Sequence, residues 1–562
     1  MGMDVFQPLL QGFAAALTPQ NLCFGFIGCV LGTLVGVLPG IGPTSAIAML
    51  LPLTLILDPT PAIIMLSGIY YGAMYGGSTT AILVNIPGEI SSAPTALDGY
   101  AMAKKGRAGP ALAISAISSF VAGTLSLVGL TFFAPTLAQL ALHFGPPEYF
   151  ALMLLALSVV INLSGKSLIK GLISAVAGFF VAMVGMDPIT GIARFTFGSV
   201  ELMSGIDFVS VIIGLFAIAE VLSTWEAQVT PVIRTKLTGL MPTREDLRET
   251  FPAMLRSTVI GFFLGLLPGC SPGVTAFIAY DTEKRFSRVP ETFGQGQIAG
   301  VAAAEGANNA TTSGGFVPLL SFGIPSGPAL AVLLGGFMMY GLQPGPTLFE
   351  KNAPFVWALI ASMYIGNVML IILNLPLVGL WARLVKVPYP LLAPIILISS
   401  FIGAYSVRNK MMDVWLAIAF GLIGWLMRKL EIPSVPLILT TILAGMLETS
   451  IKQTLSMGDM GIYLLFTRPI SLTICILALL LTISSLYGRY KKIPLPGDAE
   501  EFSSESFEFP DVIEKKRPVL VKPRRYLHVP KTVYLVREHD RSRNVAKCGS
   551  LRMRQAGEQV QR

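Results

Sequence analysis

Apolar stretches of about 20 residues, the length needed to cross a bilayer, recur along this chain as far as Leu486. Clear candidates lie near 20–38, 62–84, 109–141, 147–163, 168–186, 207–224, 255–267, 353–380, 389–405, 411–427 and 466–487. Shorter pieces interrupted by Gly or Pro lie near 42–57, 272–280, 296–323 and 326–341. In hydrocarbon the backbone must satisfy its own polar groups, so such runs predict helices. The expected fold is an all-α polytopic membrane protein with about 11–14 transmembrane or re-entrant segments. Only 13% of the 562 residues are charged, against roughly 25% in soluble domains. A water-soluble fold of this length would lack the polar surface to cover its core.

Charge is unevenly placed. The chain from Arg489 onward carries 17 basic and 10 acidic residues, which leaves 23 and 22 for the rest. The pI near 9.1 therefore belongs to the tail and gives no reason to expect nucleic acid as a partner. No Lys or Arg precedes Lys104, so the N-terminus lacks the basic region of a signal peptide. The segment Thr224–Arg256 is mixed in charge, with Arg234, Lys236, Arg244, Arg248 and Arg256 against Glu226, Glu245, Asp246 and Glu249, and Arg489, Lys491 and Lys492 follow the last apolar run. Basic residues favour the cytoplasmic side, which predicts a cytoplasmic linker and C-terminus. The expected divisions are membrane repeats at 1–224 and 257–490, a linker at 225–256 and a tail at 491–562. The tail's composition reads as disordered, with an anionic-lipid contact as the sharper alternative.

The halves repeat each other. Gly32-Thr-Leu-Val-Gly36-Val-Leu-Pro39-Gly40-Ile-Gly42-Pro43 matches Gly261-Phe-Phe-Leu-Gly265-Leu-Leu-Pro268-Gly269-Cys-Ser271-Pro272 at an offset of 229. Gly76-Gly77 and Ile86-Pro87-Gly88 match Gly314-Gly315 and Ile324-Pro325-Ser326 at an offset of 238. Equivalent loops have opposite charge bias. Asp58 lies in the loop after the first motif, where the second half has Lys284, Arg285 and Arg288. Lys104, Lys105 and Arg107 follow the second motif, where Tyr340–Phe349 has no base. Opposite bias at equivalent loops predicts inverted repeats.

Proline and glycine within these apolar runs free backbone groups that must be satisfied by protein, ions or cavity water. Pro39, Pro43, Pro87, Pro268, Pro272 and Pro325 are thus expected helix breaks. A helix restarting after each Pro-Gly break would aim its N-terminal amides inward, where a carboxylate is favoured. Candidate substrate-binding residues in the first half are Gly40, Gly42, Thr44, Ser45, Gly76, Gly77, Ser78, Thr79 and Asn85. In the second they are Gly269, Ser271, Asn308, Asn309, Thr312, Ser313 and Gly314. Hydroxyl and amide clusters also glue membrane helices together, and that reading competes at each position. Glu305 is the ion-coupling candidate, because a carboxylate within a membrane span usually has a partner or a task. Its rival reading is a helix-end residue at the interface.

Other signals carry no chemistry. Gly165-Lys166-Ser167 echoes a phosphate-binding loop, but Val160 stands where that motif needs glycine. His143 is the sole histidine of the membrane body, and the five cysteines show no paired spacing. No convergent acid–base, nucleophile or metal set suggests an enzyme, and no cofactor is expected beyond a coupling H⁺ or Na⁺.

The stretches Leu38-Pro-Gly-Ile-Gly-Pro43, Tyr71-Gly-Ala-Met-Tyr-Gly-Gly-Ser-Thr-Thr-Ala-Ile-Leu-Val-Asn-Ile-Pro-Gly88, Glu305-Gly-Ala-Asn-Asn-Ala310 and Val317-Pro-Leu-Leu-Ser-Phe-Gly-Ile-Pro325 resemble the TctA family. TctA proteins are the large membrane subunits of tripartite tricarboxylate transporters. The resemblance covers roughly residues 5–490. It implies ion-driven secondary uptake of small carboxylates in a bacterial inner membrane. It also implies a small four-helix membrane subunit and a periplasmic solute-binding protein as partners. Ser326 departs from the glycine expected there, and the tail exceeds the family's usual length. Rival readings are a passive ion or anion channel, which would not accumulate substrate, and the membrane domain of an ATP-driven importer, which would stop on ATP depletion.

Overall fold

The computed structural model describes residues 5–38, 42–162, 167–187, 189–226, 239, 241–384, 389–458 and 461–490. Pro39, Gly40, most of the 225–240 segment and the 491–562 tail lie outside the described residues.

The first half runs through α1 (Phe6–Ala16), α2 (Pro19–Val37) and α3 (Gly42–Leu50), which tightens into a 3-10 turn at Leu51–Ile56. Next comes α4 (Pro59–Val84), which opens on proline and closes on Asn85 in the left-handed conformation at φ 57°. Both ends follow the usual asymmetry of helix termini. Then follow α5 (Ala93–Lys104), α6 (Ala108–Ala141), α7 (Pro146–Asn162) and α8 (Leu168–Met183). A short antiparallel hairpin pairs β1 (Gly185–Met186) with β2 (Ala193–Arg194). The half ends with α9 (Phe208–Ile212), a π-helical stretch at Ile213–Ile218, and α10 (Ala219–Glu226).

The second half opens with α11 (Arg244–Gly265), started by a capping box between Thr243 and Asp246. Helix therefore begins within the expected linker and runs unbroken into the apolar stretch. Then come α12 (Pro272–Phe286), α13 (Ile298–Gly314), α14 (Phe316–Phe322), α15 (Pro328–Met339) and α16 (Pro346–Lys351). The remainder comprises α17 (Ala353–Asn374), α18 (Val378–Leu384), α19 (Tyr389–Arg408), α20 (Met411–Lys429), α21 (Ser434–Leu455), α22 (Leu464–Thr467) and α23 (Pro469–Tyr490).

Among the described residues, α2, α6, α17, α20 and α21 are each long and apolar enough to cross a membrane. A sixth span would be the pair Gly461–Thr467 and Pro469–Ser484, bent by 79°. The protein is an all-α polytopic membrane protein. Neither α1 nor α21 is among the apolar candidates read from the sequence. In α21, Thr440, Thr441, Glu448 and Lys452 interrupt the run.

The equivalent helices α4 and α13 form the centre. Every residue from Pro61 to Leu83 and from Ile298 to Gly314 is buried. Such all-round burial requires small residues that let backbones approach. The approach is the same in both halves. A Cβ on Gly32 would stand 2.4 Å from the carbonyl oxygen of Ile69, and one on Gly261 would stand 2.5 Å from that of Ala307. A Cβ on Gly36 would meet the Ala73 oxygen at 2.2 Å, and one on Gly265 the Thr311 oxygen at 2.8 Å. These contacts pair residues at the same two offsets, 229 and 238, that relate the motifs.

Helices α4 and α13 pass each other antiparallel. Tyr71 lies against Phe316, with ring centroids 6.0 Å apart. Tyr70 pairs with Thr312, and further along α4 and further back along α13 Ser78 pairs with Glu305. The 238 offset also carries α6 onto residues 346–379, which include α17, and this pair behaves alike. Asn367 donates to the Phe120 oxygen at 3.0 Å and to Thr124 Oγ1 at 2.9 Å, while Tyr364 meets Thr131 at 3.0 Å. Two equivalent pairs running antiparallel require a two-fold relation whose axis is perpendicular to the helices.

Candidate functional site

The second motif of the first half builds one wall of a buried polar site. After Asn85 the chain leaves the helix at Ile86 and Pro87, then folds back along α4, with the Gly88 amide donating to the Gly77 oxygen at 3.3 Å. Gly77 admits this return. A Cβ there would stand 2.5 Å from Ser92 Oγ and 2.8 Å from Glu89 Cγ. Gly88 is equally constrained, since its Cβ would lie 1.8 Å from the Gly36 oxygen. Glycine at both positions thus sets Glu89 and Ser92 against the polar end of α4.

The facing wall is the first part of α13. Glu305 is fully buried. Its Oε1 accepts from Thr95 of α5, and its Oε2 accepts from Ser119 of α6 at 3.4 Å. Ser78 and Asn308 also reach this carboxylate. Asn308 Nδ2 approaches Glu89 Oε1 at 3.5 Å, so one amide stands between two carboxyl groups. Asn309 donates to Ser119 Oγ at 2.7 Å and to the Glu305 backbone oxygen at 3.2 Å. Beside this cluster, Thr312, Ser313 and Asn309 line a small cavity with Tyr71, Tyr75 and Asn367.

Asp98 of α5 is a third acid here, fully buried, and its needs are met. Its Oδ1 accepts from the Gly296 and Gln297 amides, both at 2.7 Å, and its Oδ2 accepts from Tyr280 at 2.8 Å. A carboxylate at the start of α13 complements the helix dipole.

The structure gathers Ser78, Glu305, Asn308 and Asn309 into one cluster and sets Thr312 and Ser313 beside it. Thr79 is buried within α4, and Asn85 closes that helix. Gly76 and Gly314 meet backbone instead: their Cβ atoms would stand 2.3 Å from the Thr33 oxygen and 2.6 Å from the Phe262 oxygen. In α3, Gly42 has φ 59°, Pro43 and Ser45 are buried, and Thr44 is half-buried. The Ser45 hydroxyl donates to the Phe216 oxygen at 3.1 Å, within the π-helical stretch. Gly269, at φ 84°, donates to the Ser326 oxygen at 2.9 Å, after Pro268 and near Pro325. Ser271 precedes Pro272, the first residue of α12.

The two polar clusters are not at equivalent positions. The 238 offset carries Ser78 onto Phe316, Asn308 onto Tyr70 and Glu305 onto Ser67. They meet because α4 and α13 run antiparallel, which brings the end of one helix to the beginning of the other. Glu89 escaped sequence reading because its counterpart is Gly327 and it sits in a short loop. The available signal was its place directly after Ile-Pro-Gly in an otherwise acid-poor stretch.

Outside the spans, Asp187 ties the hairpin to α21 through Lys452 at 2.5 Å, and Arg194 does so through Glu448 at 2.6 Å. The Lys452 ammonium and the amides of Ile189 and Thr190 hold the Asp187 carboxyl well below the usual range.

These elements define a class: a polytopic α-helical membrane protein whose two repeats enclose a carboxylate-bearing polar site. The family model for the tripartite tricarboxylate transporter TctA family matches residues 22–439, and the chain belongs to that family. A relative from Agrobacterium vitis, named as an uncharacterized 52.8 kDa protein in the TAR-I ttuC' 3'region, is 45% identical over 487 residues. That alignment covers 86% of this chain and 97% of the relative. A second, an uncharacterized protein in the TAR-II ttuC' 3'region of the same organism, is 39% identical over 228 residues. It covers 40% of this chain and 93% of the relative. No solved structure matches the chain.

Proposed function

We propose that this chain is the permease subunit of a tripartite, solute-binding-protein-dependent transporter that takes up small organic acid anions. Uptake is secondary, driven by an H⁺ or Na⁺ gradient, and the chain is not an enzyme. Family membership makes it a component of a tripartite tricarboxylate transporter. The observation that carries the finer reading is the Glu89–Asn308–Glu305 cluster, in which Glu305 and Asn308 are fully buried and Glu89 half-buried where two antiparallel repeat helices meet. A charge-bearing site at the junction of inverted repeats is where coupling ions bind when one repeat rocks against the other.

Substrate anions are recognised by the helix starts at Gly42 and Pro272 and by neighbouring hydroxyl and amide donors. The partners are a small four-helix membrane subunit and a periplasmic binding protein that delivers substrate, in a bacterial inner membrane. Cells expressing all three subunits test this. Accumulation of a labelled di- or tricarboxylate should collapse with an ionophore and persist when ATP is depleted at a maintained gradient. Loss on ATP depletion alone would assign the chain to an ATP-driven importer, and flux without accumulation would assign it to a channel.

A further inference from the structure

Two carboxyl groups that share one amide in a membrane interior need positive charge nearby, since burying unpaired charge is costly. Asp98 shows how this molecule satisfies a buried acid: two backbone amides and a phenol surround it. Among the described residues Glu89 has no such set; its partner is Asn308, at a long 3.5 Å. No Lys, Arg or His among the described residues pairs with either Glu89 or Glu305.

A second observation points to what is missing. Asn308 is fully buried, and its Oδ1 has no hydrogen-bond partner, although its Nδ2 faces the Glu89 carboxylate. Ser92 is also fully buried, its Oγ is unpartnered, and it packs against Gly77 beside Glu89. Buried polar atoms are nearly always satisfied, so two orphaned oxygens beside an under-partnered carboxylate are unusual. A proton on one carboxyl group gives a single O–H donor and would satisfy at most one of the two orphaned oxygens. A small metal cation would draw on carboxylate, amide and hydroxyl oxygens together, the donor set that hard cations prefer. Glu89 is partly exposed whereas Glu305 is fully buried, which gives the site an outer and an inner carboxylate.

We infer that Glu89, Glu305, the Ser92 hydroxyl and, once its amide turns over to face the carboxylates, the Asn308 side-chain oxygen form a binding site for one Na⁺ ion. The inference rests on the reading of the chain as an ion-driven transporter and names the residues that hold the driving ion. The site is built almost wholly by the junction of the repeats: Glu89 and Ser92 come from the first half, Glu305 and Asn308 from the second. Sodium bound there holds the halves together, and a rocking motion that parts them releases it.

The test reads binding, not transport. Full-length protein in lipid nanodiscs is titrated with radiolabelled sodium at fixed pH, with choline maintaining ionic strength. Saturable binding of one ion per chain is expected. Glu89→Gln should abolish it, Asn308→Ala should weaken it by about 10-fold or more, and Glu201→Gln, at an exposed acid, should leave it unchanged. Gel filtration and helical circular dichroism establish that each variant is folded. Saturable binding unaltered in folded Glu89→Gln and Asn308→Ala would overturn the assignment. So would no sodium binding by folded wild type, including the case where the protein instead takes up one proton. Substrate accumulation under a pH gradient without sodium binding would defeat this site and leave the transporter reading intact. Sodium binding without accumulation under any gradient would do the reverse.

Discussion

A backbone approach that admits no side chain explains one informative glycine of the first half, Gly88. Gly88 and its counterpart Ser326 make a natural comparison, because the second half carries a side chain where the first has none. The Ser326 hydroxyl lies against Gly315, 2.4 Å from where a Cβ on that residue would stand. The second half thus accommodates Ser326, whereas Gly88 faces the Gly36 oxygen at 1.8 Å from its would-be Cβ. Gly88→Ala should lower stability by about 3 kcal/mol or more, at the upper end of overpacking costs, while Ser326→Gly should yield folded protein. Thermal unfolding in detergent checks the pair, and an unperturbed Gly88→Ala would refute the packing argument. At the linker side of α11, outside the apolar stretch, burial penalises the charge on Asp246. Its bond to Arg107 at 2.6 Å and the Thr243 hydrogen bonds outweigh that, holding the carboxyl below its ordinary 3.8. A depressed folded-state value means stability that is present above pH 3.8 and lost as pH falls through the lower value. Asp246→Asn should therefore cost about 1 kcal/mol at neutral pH. The gap to wild type should close in acid below that range; a gap independent of pH would show that the charge contributes nothing.

At the scale of elements, the glycine spacing made the repeat legible, because close helix packing needs small residues at fixed intervals and leaves a pattern in one dimension. Gly32, Gly36, Gly261 and Gly265 could be matched before any contact was known. Glu89 could not be assigned a role, since its partner Asn308 lies 219 residues away and only antiparallel packing of α4 on α13 brings them together. Similarly, α21 was hidden by Glu448 and Lys452, whose charges are paired by Arg194 and Asp187 from the hairpin. The antiparallel crossing has its own test. In a background free of native cysteine, Tyr70→Cys with Phe316→Cys should cross-link through a short thiol reagent, since their rings lie 6.4 Å apart. Tyr70→Cys with Glu305→Cys should not; the opposite pattern would mean that α4 and α13 run parallel.

For the whole molecule, the two-fold relation between halves turns into a statement about sides of a membrane. Single cysteines replacing Lys105 and Gln343, in equivalent loops, should be labelled by an impermeant thiol reagent from opposite faces of sealed vesicles. Labelling from one face would make the repeats parallel and remove the argument for alternating access. The central claim is that a gradient across these inverted halves drives carboxylate accumulation, and it is tested most directly in proteoliposomes. Wild-type or Glu305→Gln permease is reconstituted with the small membrane subunit and the cognate binding protein, without ATP, under imposed Na⁺ or pH gradients. The account predicts that wild type concentrates one or more labelled carboxylates above the external level under one gradient, and that folded Glu305→Gln does not. Equal accumulation by the Glu305→Gln protein, or equilibration without accumulation by a wild type that binds its partners, would contradict it.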